Sequence, residues 1–318
     1  MDSRFKVLLY EPMHAEGTGL LEEKCDLVYA GSFDDAHLVS MACDVDAIII
    51  RANGAVSRAV IEAAPRLKVI GRHGVGLDSI DLDAARGRRV KVVYTPTANT
   101  ESVAEHFVGL ALMLSRKLKR ADIAVRQGNW KARHELIGTD LRGKTLGVLG
   151  FGRIGRQTAR ICHFGFAMPV VYYDVVGYPD EETELGAVRA DMEDVFRRAD
   201  FLSINLPMIP DTRGRVNAHL INQMKPTAFL INMARGPVWN EGDVLNALKS
   251  GRIAGAGADV FEKEPVSPDN PLFEMENFVG SPHMAAHTGE AMIRMSLVAR
   301  DVLAVLEGRR PEFPVPGT

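Results

Sequence analysis

The stretch that most constrains this chain runs from Thr145 to Asp174, TLGVLGFGRIGRQTARICHFGFAMPVVYYD. Leu146 to Leu149 is a short apolar run of the kind that forms a strand buried on both faces. It leads into Gly150, Gly152 and Gly155, spaced as G-x-G-x-x-G. Arg156 to His163 then suits a helix, and a second apolar run, Pro169 to Tyr173, stops at Asp174. Strand, glycine turn, helix and a strand ending in an acid make the unit that binds a dinucleotide. Gly150 allows the tight turn, Gly152 lets the backbone approach a pyrophosphate, and Gly155 lets the helix pack on the strand. The helix N-terminus offers unpaired N–H groups and a partial positive charge to the phosphates. Arg153 and Ile154, between the second and third glycines, count with them as cofactor-binding. Asp174 follows Gly155 by nineteen residues, where a carboxylate accepts hydrogen bonds from ribose hydroxyls and repels a 2′-phosphate. The cofactor expected is therefore NAD rather than NADP. The competing reading is a glycine turn that binds nothing; the flanking strand, helix and acid weigh against it.

At 318 residues the chain suggests two domains or one large one, and with 46% hydrophobic residues a core forms easily. With 25% charged residues and a net charge of -3, it has no basic excess of the kind that nucleic acid attracts. Cys25, Cys43 and Cys162 show no metal or C-x-x-C spacing and read as reduced thiols of a cytoplasmic protein. MDSRFKVLLYEP is too short in apolar length for a signal peptide, and no run approaches a membrane span. Neither a metal, a nucleic acid nor a membrane is expected as a partner.

Apolar runs predict strands at Phe5 to Tyr10, Leu27 to Ala30, Ala47 to Ile50, Leu67 to Ile70 and Val90 to Tyr94. Helical pieces, such as Asp34 to Ala42 and Asp81 to Arg86, separate them, so the first ~95 residues suggest a parallel sheet of their own. Ligands of such sheets sit beyond the carboxyl ends of the strands, which makes Arg51 and Gly74, Val75 and Gly76 candidates to face one. Ala98 to Lys119 predicts one long helix, with Thr100 or Ser102 as its cap, and Gly128 to Gly143 a loop. Further strands are predicted at Phe201 to Leu206, Ala228 to Met233, Gly255 to Val260 and Phe278 to Ser281. Helices are predicted at Met192 to Arg197, Ala218 to Met224 and Glu241 to Ser250, and a single long one at Thr288 to Glu307. Polar residues gather at strand ends: Asp174, Asn205, Arg235, Asp259, Glu264 and His283. In a doubly wound sheet these ends share the edge that holds the cofactor.

Hydride exchange at an alcohol carbon requires that the hydroxyl proton be taken, and histidine titrates near neutrality. A carboxylate beside it would fix the ring and raise its pKa, so Glu264 and His283 form a plausible pair. Arg235, before Gly236, suits bidentate binding of a substrate carboxylate and polarisation of the oxygen being reduced. Each residue alone also fits a surface role: a solvated loop acid, a turn histidine, a strand-end ion pair.

Taken together, the motifs resemble the D-isomer-specific 2-hydroxyacid dehydrogenases, the group that includes phosphoglycerate dehydrogenase and glyoxylate/hydroxypyruvate reductase. The resemblance spans nearly the whole chain. It is carried by HGVGLDSID (His73 to Asp81), SVAEH (Ser102 to His106), LRGKTLGVLGFGRIGR (Leu141 to Arg156) and NLPMIPDTRG (Asn205 to Gly214). INMARGPVWNE (Ile231 to Glu241), AGADVFEKEP (Ala256 to Pro265) and SPHMAAHT (Ser281 to Thr288) complete it. The resemblance implies that Arg235 binds the substrate carboxylate, Glu264 supports the histidine and His283 is the acid/base. It implies Asp259 beside the nicotinamide, Asn205, Pro207, Thr212 and Ala234 in the cofactor groove, and the backbone of Val75 and Gly76 on the substrate carboxylate. The implied architecture is α/β: two Rossmann-like doubly wound parallel-sheet domains with a cleft between them that closes. Residues 1–98 plus 288–318 would bind substrate, residues 99–287 would bind NAD, and two copies would form a homodimer. The implied activity is reversible hydride transfer between NAD(H) and a small D-2-hydroxy acid or 2-oxo acid of the glyoxylate, hydroxypyruvate or 3-phosphoglycerate type (EC 1.1.1.-).

There are departures. Where many members carry Arg-Ser-x-Thr, this chain has Arg51-Ala52-Asn53-Gly54, without the two hydroxyls. His287 offers a second imidazole; His283 is preferred because it follows Pro282 as in the family motif. No regulatory domain is expected after Thr318. Glu264 argues against formate dehydrogenase, which has Gln there; phosphite dehydrogenase and the NAD-sensing corepressor-like binding proteins stand as alternatives. Arg51, Arg72 and His73 are candidates for a distal substrate anion, a phosphate or second carboxylate, or else are surface charges.

Overall fold

The computed structural model describes residues 4–318, so the first three residues of the amino-terminal reading lie outside the described residues. The chain forms two compact units: one runs through Asn99 and resumes at His287–Thr318, the other is Thr100–Ala286.

In the first unit, β1 (Phe5–Leu9), β2 (Cys25–Tyr29), β3 (Ala47–Ile50), β4 (Val69–Arg72) and β5 (Lys91–Tyr94) form one sheet in the order β2-β1-β3-β4-β5. Every pairing is parallel. Alternation explains the continuous apolar runs. Leu8, Ile48, Ile50, Ile70 and Val92 fill one core, and Val7, Leu9, Ile49, Val69 and Val93 fill a second on the opposite face. The second core is closed by Val298, Val302 and Leu306 of the helix Val298–Leu306. Each such side chain taken from water stabilises by roughly 1.5–3 kcal/mol. The single helix predicted over Thr288 to Glu307 is in fact two, Gly289–Ser296 and Val298–Leu306. The Ser296 hydroxyl donates back to the Ile293 carbonyl at 2.7 Å, an alternative to the helical ladder that favours a break there.

The second unit holds β6 (Leu146–Leu149), β7 (Val170–Tyr173), β8 (Val188–Arg189), β9 (Phe201–Ile204), β10 (Phe229–Asn232), β11 (Gly255–Ala258) and β12 (Phe278–Gly280). The order is β12-β11-β10-β9-β6-β7-β8, again all parallel. Strand order reverses between β6 and β9, which makes their carboxyl ends the switch point where such sheets take ligands. The helix after β6 is longer than its predicted core, Arg153–Phe166, because it starts directly after Gly152. The short β8 and the helix Pro179–Leu185 lacked a periodic signal in the sequence.

The helix predicted over Ala98 to Lys119 ends at Ser115, and a second one spans Leu118–Arg126. One contact and one backbone conformation stop it. The Ser115 carbonyl accepts the Thr139 N–H at 2.9 Å, and Lys117 turns left-handed at φ 53. The helix begins at Thr100, so Ser102 lies buried in its first turn rather than capping it. A 3-10 turn, Trp130–His134, interrupts the predicted loop. Gly255 leaves room for Leu114 of the Thr100–Ser115 helix, 3.3 Å from where a Cβ would stand.

Gly17 in the helix Ala15–Glu22 lies against Ser296, whose Cβ would be 2.7 Å from an added Cβ, whereas Gly19 faces open space. Gly17→Ala is therefore expected to lower stability by about 1–3 kcal/mol through overpacking. Gly19→Ala on the same helix should raise it by up to about 1 kcal/mol. Thermal denaturation of the two variants beside the parent checks the contrast.

Candidate functional site

The three motif glycines stand at the switch point in three different situations. Gly150 has φ +84, and a Cβ there would lie 2.8 Å from the Asn205 carbonyl carbon and oxygen, so the turn after β6 grazes the end of β9. Gly155 sits in the first turn of its helix, where a Cβ would collide with the Gly150 carbonyl and lie 3.0 Å from Val148. Gly152 faces open space, with nothing within 4 Å of a Cβ. That is the gap a pyrophosphate needs. The helix it precedes has no side-chain cap, so Arg153 and Ile154 present first-turn N–H groups to that gap. Asp174 at the end of β7 accepts the Phe151 N–H at 2.7 Å and the Val176 N–H at 3.3 Å. Those bonds fix its carboxylate beside the glycine turn and leave lone pairs for ribose hydroxyls. Asn205 donates to the Ser203 hydroxyl at 2.9 Å, while its Oδ1 is buried with no partner. An orphaned buried acceptor is costly, and a ligand hydroxyl here would satisfy it. Thr212 closes the loop after β9, donating to the Pro207 carbonyl at 2.5 Å and accepting the Ile209 N–H at 3.0 Å. The residues present thus fit a dinucleotide.

Further along the same edge, Asn232 at the end of β10 holds the arginine turn. Its side chain accepts the Ala234 N–H and donates to the Arg235 carbonyl, both at 3.0 Å. Arg235, half-buried, donates to the Ala234 carbonyl at 2.8 Å. Gly236 is obligatory, since a Cβ would fall on the Phe261 carbonyl. This close approach lays the arginine turn on the acidic segment. There, Glu241 and Glu262 exchange carboxylate-to-amide hydrogen bonds at 2.6 and 2.8 Å, pinning the segment to the start of the helix Glu241–Lys249. Glu264 accepts the Phe261 N–H at 3.0 Å with one oxygen and meets His283 Nδ1 at 2.7 Å with the other. Burial works to raise the Glu264 pKa. The bonds from His283 and Phe261, with the charges of His283 and Arg235, outweigh it and hold the carboxyl below its usual range. Glu264 is thus a charged partner for His283, and His283 Nε2 points away from that bond. His287, the other imidazole considered, belongs to the other unit.

His283 itself is left-handed, φ 49, a conformation that costs a non-glycine residue roughly 1–2 kcal/mol. Asp259, 2% exposed at the end of β11, holds it there. Its carboxylate accepts the Ser281 hydroxyl at 2.6 Å and the Met284 and Ala285 N–H groups at 2.8 Å each, and its carbonyl accepts the His283 N–H at 2.7 Å. His106, from the helix Thr100–Ser115, meets Ser281 at 2.8 Å. SVAEH was legible as a motif, but nothing in the sequence tied His106 to Ser281 or placed Asp259 at the centre of the histidine turn.

In the first unit, the loop after β4 carries the other candidates. Arg72 braces it, donating to the Gly76 and His73 carbonyls at 2.5 and 2.8 Å and to the Arg51 carbonyl. His73 is 2% exposed and so is no surface charge; burial, with the Arg51 charge, pushes it down to about 4. The Gly74 N–H goes to Thr95 Oγ1 at 3.1 Å, and Gly74 has φ +131. Among the described residues, the Val75 and Gly76 N–H groups have no hydrogen bond. Among the described residues, Arg51 at the end of β3 donates to the Pro12 carbonyl at 3.2 Å and to Met292 Sδ at 3.6 Å, both neutral. Glu11 clamps the residues beyond it, accepting the Ala52 and Asn53 N–H groups at 2.6 and 2.8 Å.

The model of the D-isomer specific 2-hydroxyacid dehydrogenase family, NAD binding domain, matches residues 108–285. A glyoxylate reductase of Thermofilum pendens is 38% identical over 97% of this chain and 94% of its own length. A D-3-phosphoglycerate dehydrogenase of Methanocaldococcus jannaschii is 38% identical over 96% of this chain, which spans 58% of that longer protein. Among solved structures, the TT0316 protein of Thermus thermophilus superposes with a TM-score of 0.91 at 32% identity, covering 98% of this chain and 100% of its own. This chain belongs to the D-isomer specific 2-hydroxyacid dehydrogenase family. It is an oxidoreductase whose cofactor is NAD(H). Among the described residues no helix is long and apolar enough to cross a membrane.

His73 makes a pH prediction. Its folded pKa, about 4, lies below its ordinary 6.5, so the unfolded chain binds the proton first. Stability is complete above that ordinary value and falls as pH drops from 6.5 towards 4. The loss amounts to about 3 kcal/mol. Thermal melts of the parent and His73→Gln across this range should show the variant with the flatter profile.

Proposed function

We propose that this chain reversibly reduces a small 2-oxo acid to the D-2-hydroxy acid. The observation that carries the reading is the Arg235, Glu264 and His283 set, assembled along the same sheet edge as the glycine cradle. When bound, NADH supplies the hydride; the protein handles the charge and the proton. His283, held through Nδ1 by the charged Glu264, gives a proton from Nε2 to the oxygen of the carbonyl being reduced and retrieves it in the reverse direction. Arg235 binds the substrate carboxylate and polarises the carbonyl oxygen. In the first unit, the Val75 and Gly76 N–H groups, without a hydrogen bond among the described residues, are donors available to an anion. Asn205 Oδ1 and the Asp174 carboxylate take ribose hydroxyls, Asp259 stands beside the nicotinamide, and the first turn at Arg153 and Ile154 takes the phosphates.

The same proposal places the enzyme in the cytoplasm, where its three unpaired cysteines would stay reduced. It also makes the enzyme a homodimer. The helix Leu118–Arg126 has no buried residue and exposes Leu118, Ile123 and Val125, followed by exposed Trp130 and Ile137, an apolar surface suited to a second copy. Sedimentation should give twice the chain mass; a monomer at micromolar concentration would remove the dimer.

NADH oxidation against glyoxylate, hydroxypyruvate, its 3-phosphate, pyruvate, oxaloacetate and phenylpyruvate tests the reaction. One substrate should dominate, and Arg235→Ala should lose roughly 30- to 900-fold in kcat/KM on it, since a charged contact at the reacting group is worth ~2–4 kcal/mol. Near-parent turnover in that variant removes Arg235 from the site. Arg51→Ala should raise KM for a phosphorylated or dicarboxylic substrate and spare glyoxylate; equal effects on both would discard a distal-anion role. Asp174→Ala should weaken NADH more than NADPH, and unchanged selectivity would count against that carboxylate.

A further inference from the structure

Ser281 carries one hydroxyl hydrogen, and its oxygen lies between two partners. Asp259 Oδ1, at 2.6 Å, is a carboxylate oxygen and can only accept, so the hydrogen points to it. The oxygen therefore accepts from His106 Nε2 at 2.8 Å, which must carry a proton. The geometry fixes the His106 tautomer and gives the chain a direction: His106 Nε2–H to Ser281, Ser281 O–H to Asp259. Asp259 then gathers the Met284 and Ala285 N–H groups with its carboxylate and the His283 N–H with its carbonyl. The anchors of the turn thus lie on both sides of His283, which is held left-handed. His106 Nε2 is also 3.7 Å from Asp259 Oδ1, so its N–H dipole favours the buried carboxylate directly.

We infer that His106 and Ser281 are positioning residues for His283. The inference rests on the proposal that His283 is the acid/base. With its lone pair taken by the His106 N–H, the Ser281 hydroxyl has Asp259 as its one acceptor, and the amino-terminal side of the histidine turn is tied to a rigid helix. Without that donor the hydroxyl rotates and the turn is anchored on its far side only. The His283 ring then samples orientations in which the Glu264 bond and the approach of Nε2 to substrate are not met together. Neither residue touches the reacting atoms, so the loss falls on turnover and not on binding. Small misplacements of a reacting group carry large rate penalties.

The test uses the full chain with NADH and its best 2-oxo acid. His106→Leu is expected to lower kcat roughly 10-fold, with KM for both substrates within about twofold of the parent. His106→Gln, which restores an N–H donor at a similar reach, should recover most of the loss. Ser281→Ala should match His106→Leu, and the double variant should be no slower than the worse single one, because both break one chain. Parent-like kcat in His106→Leu overturns the inference, as does a glutamine variant no better than the leucine one, or losses that multiply in the double variant. His283→Ala, run alongside, should be nearly inactive. If it keeps its turnover, the acid/base reading falls and takes the inference with it; if it is dead while His106→Leu is normal, only the inference falls.

Discussion

A buried carboxylate must find donors, and Asp259 finds them in the turn that bears His283. Asp259 is 2% exposed at the end of β11, where an unpaired charge would not be tolerated. A hydroxyl and two backbone amides converge on its two oxygens. The backbone of residues 281–285 is shaped by that demand, down to the left-handed histidine. On the far side of the ring, Glu264 depends on a second constraint, the bare Cα of Gly236, which lets the arginine turn lie on the backbone that leads to the acid. Charge satisfaction sets one half of the geometry around His283 and close backbone approach sets the other.

The same division runs through the cofactor cradle. Gly150 and Gly155 are fixed by what they touch, the end of β9 and the turn itself, whereas Gly152 is fixed by what it leaves open. A single pattern of three glycines therefore encodes two packing requirements and one opening.

Strands were legible because parallel strands covered on both faces carry unbroken apolar runs; β3 and β6 coincide with Ala47 to Ile50 and Leu146 to Leu149. Helix ends were less legible, since they are decided by contacts remote in sequence. Ser115 ends its helix by bonding Thr139, and Ser296 breaks another beside Gly17. The short β8 has two residues and no period to read. At the site, residue types and strand-end positions pointed to Arg235, Glu264 and His283. They could not reveal that the Gly74 N–H is taken by Thr95, that Arg72 braces the loop after β4, or that His106 reaches Ser281, because hydrogen-bond partners are set by tertiary placement.

The first unit closes only when its last segment arrives. One face of its sheet, with Val7, Leu9, Ile49 and Val69, is covered by Val298, Val302 and Leu306, and Gly17 packs on Ser296. During synthesis the ribosome must deliver the whole of the second unit before those residues emerge. The amino-terminal sheet therefore waits, half its core open to water, while the Thr100–Ala286 unit can complete itself. The order of assembly is the reverse of the order of translation: the part made first is finished last. The time spent in that state sets the chain's exposure to aggregation and to chaperones.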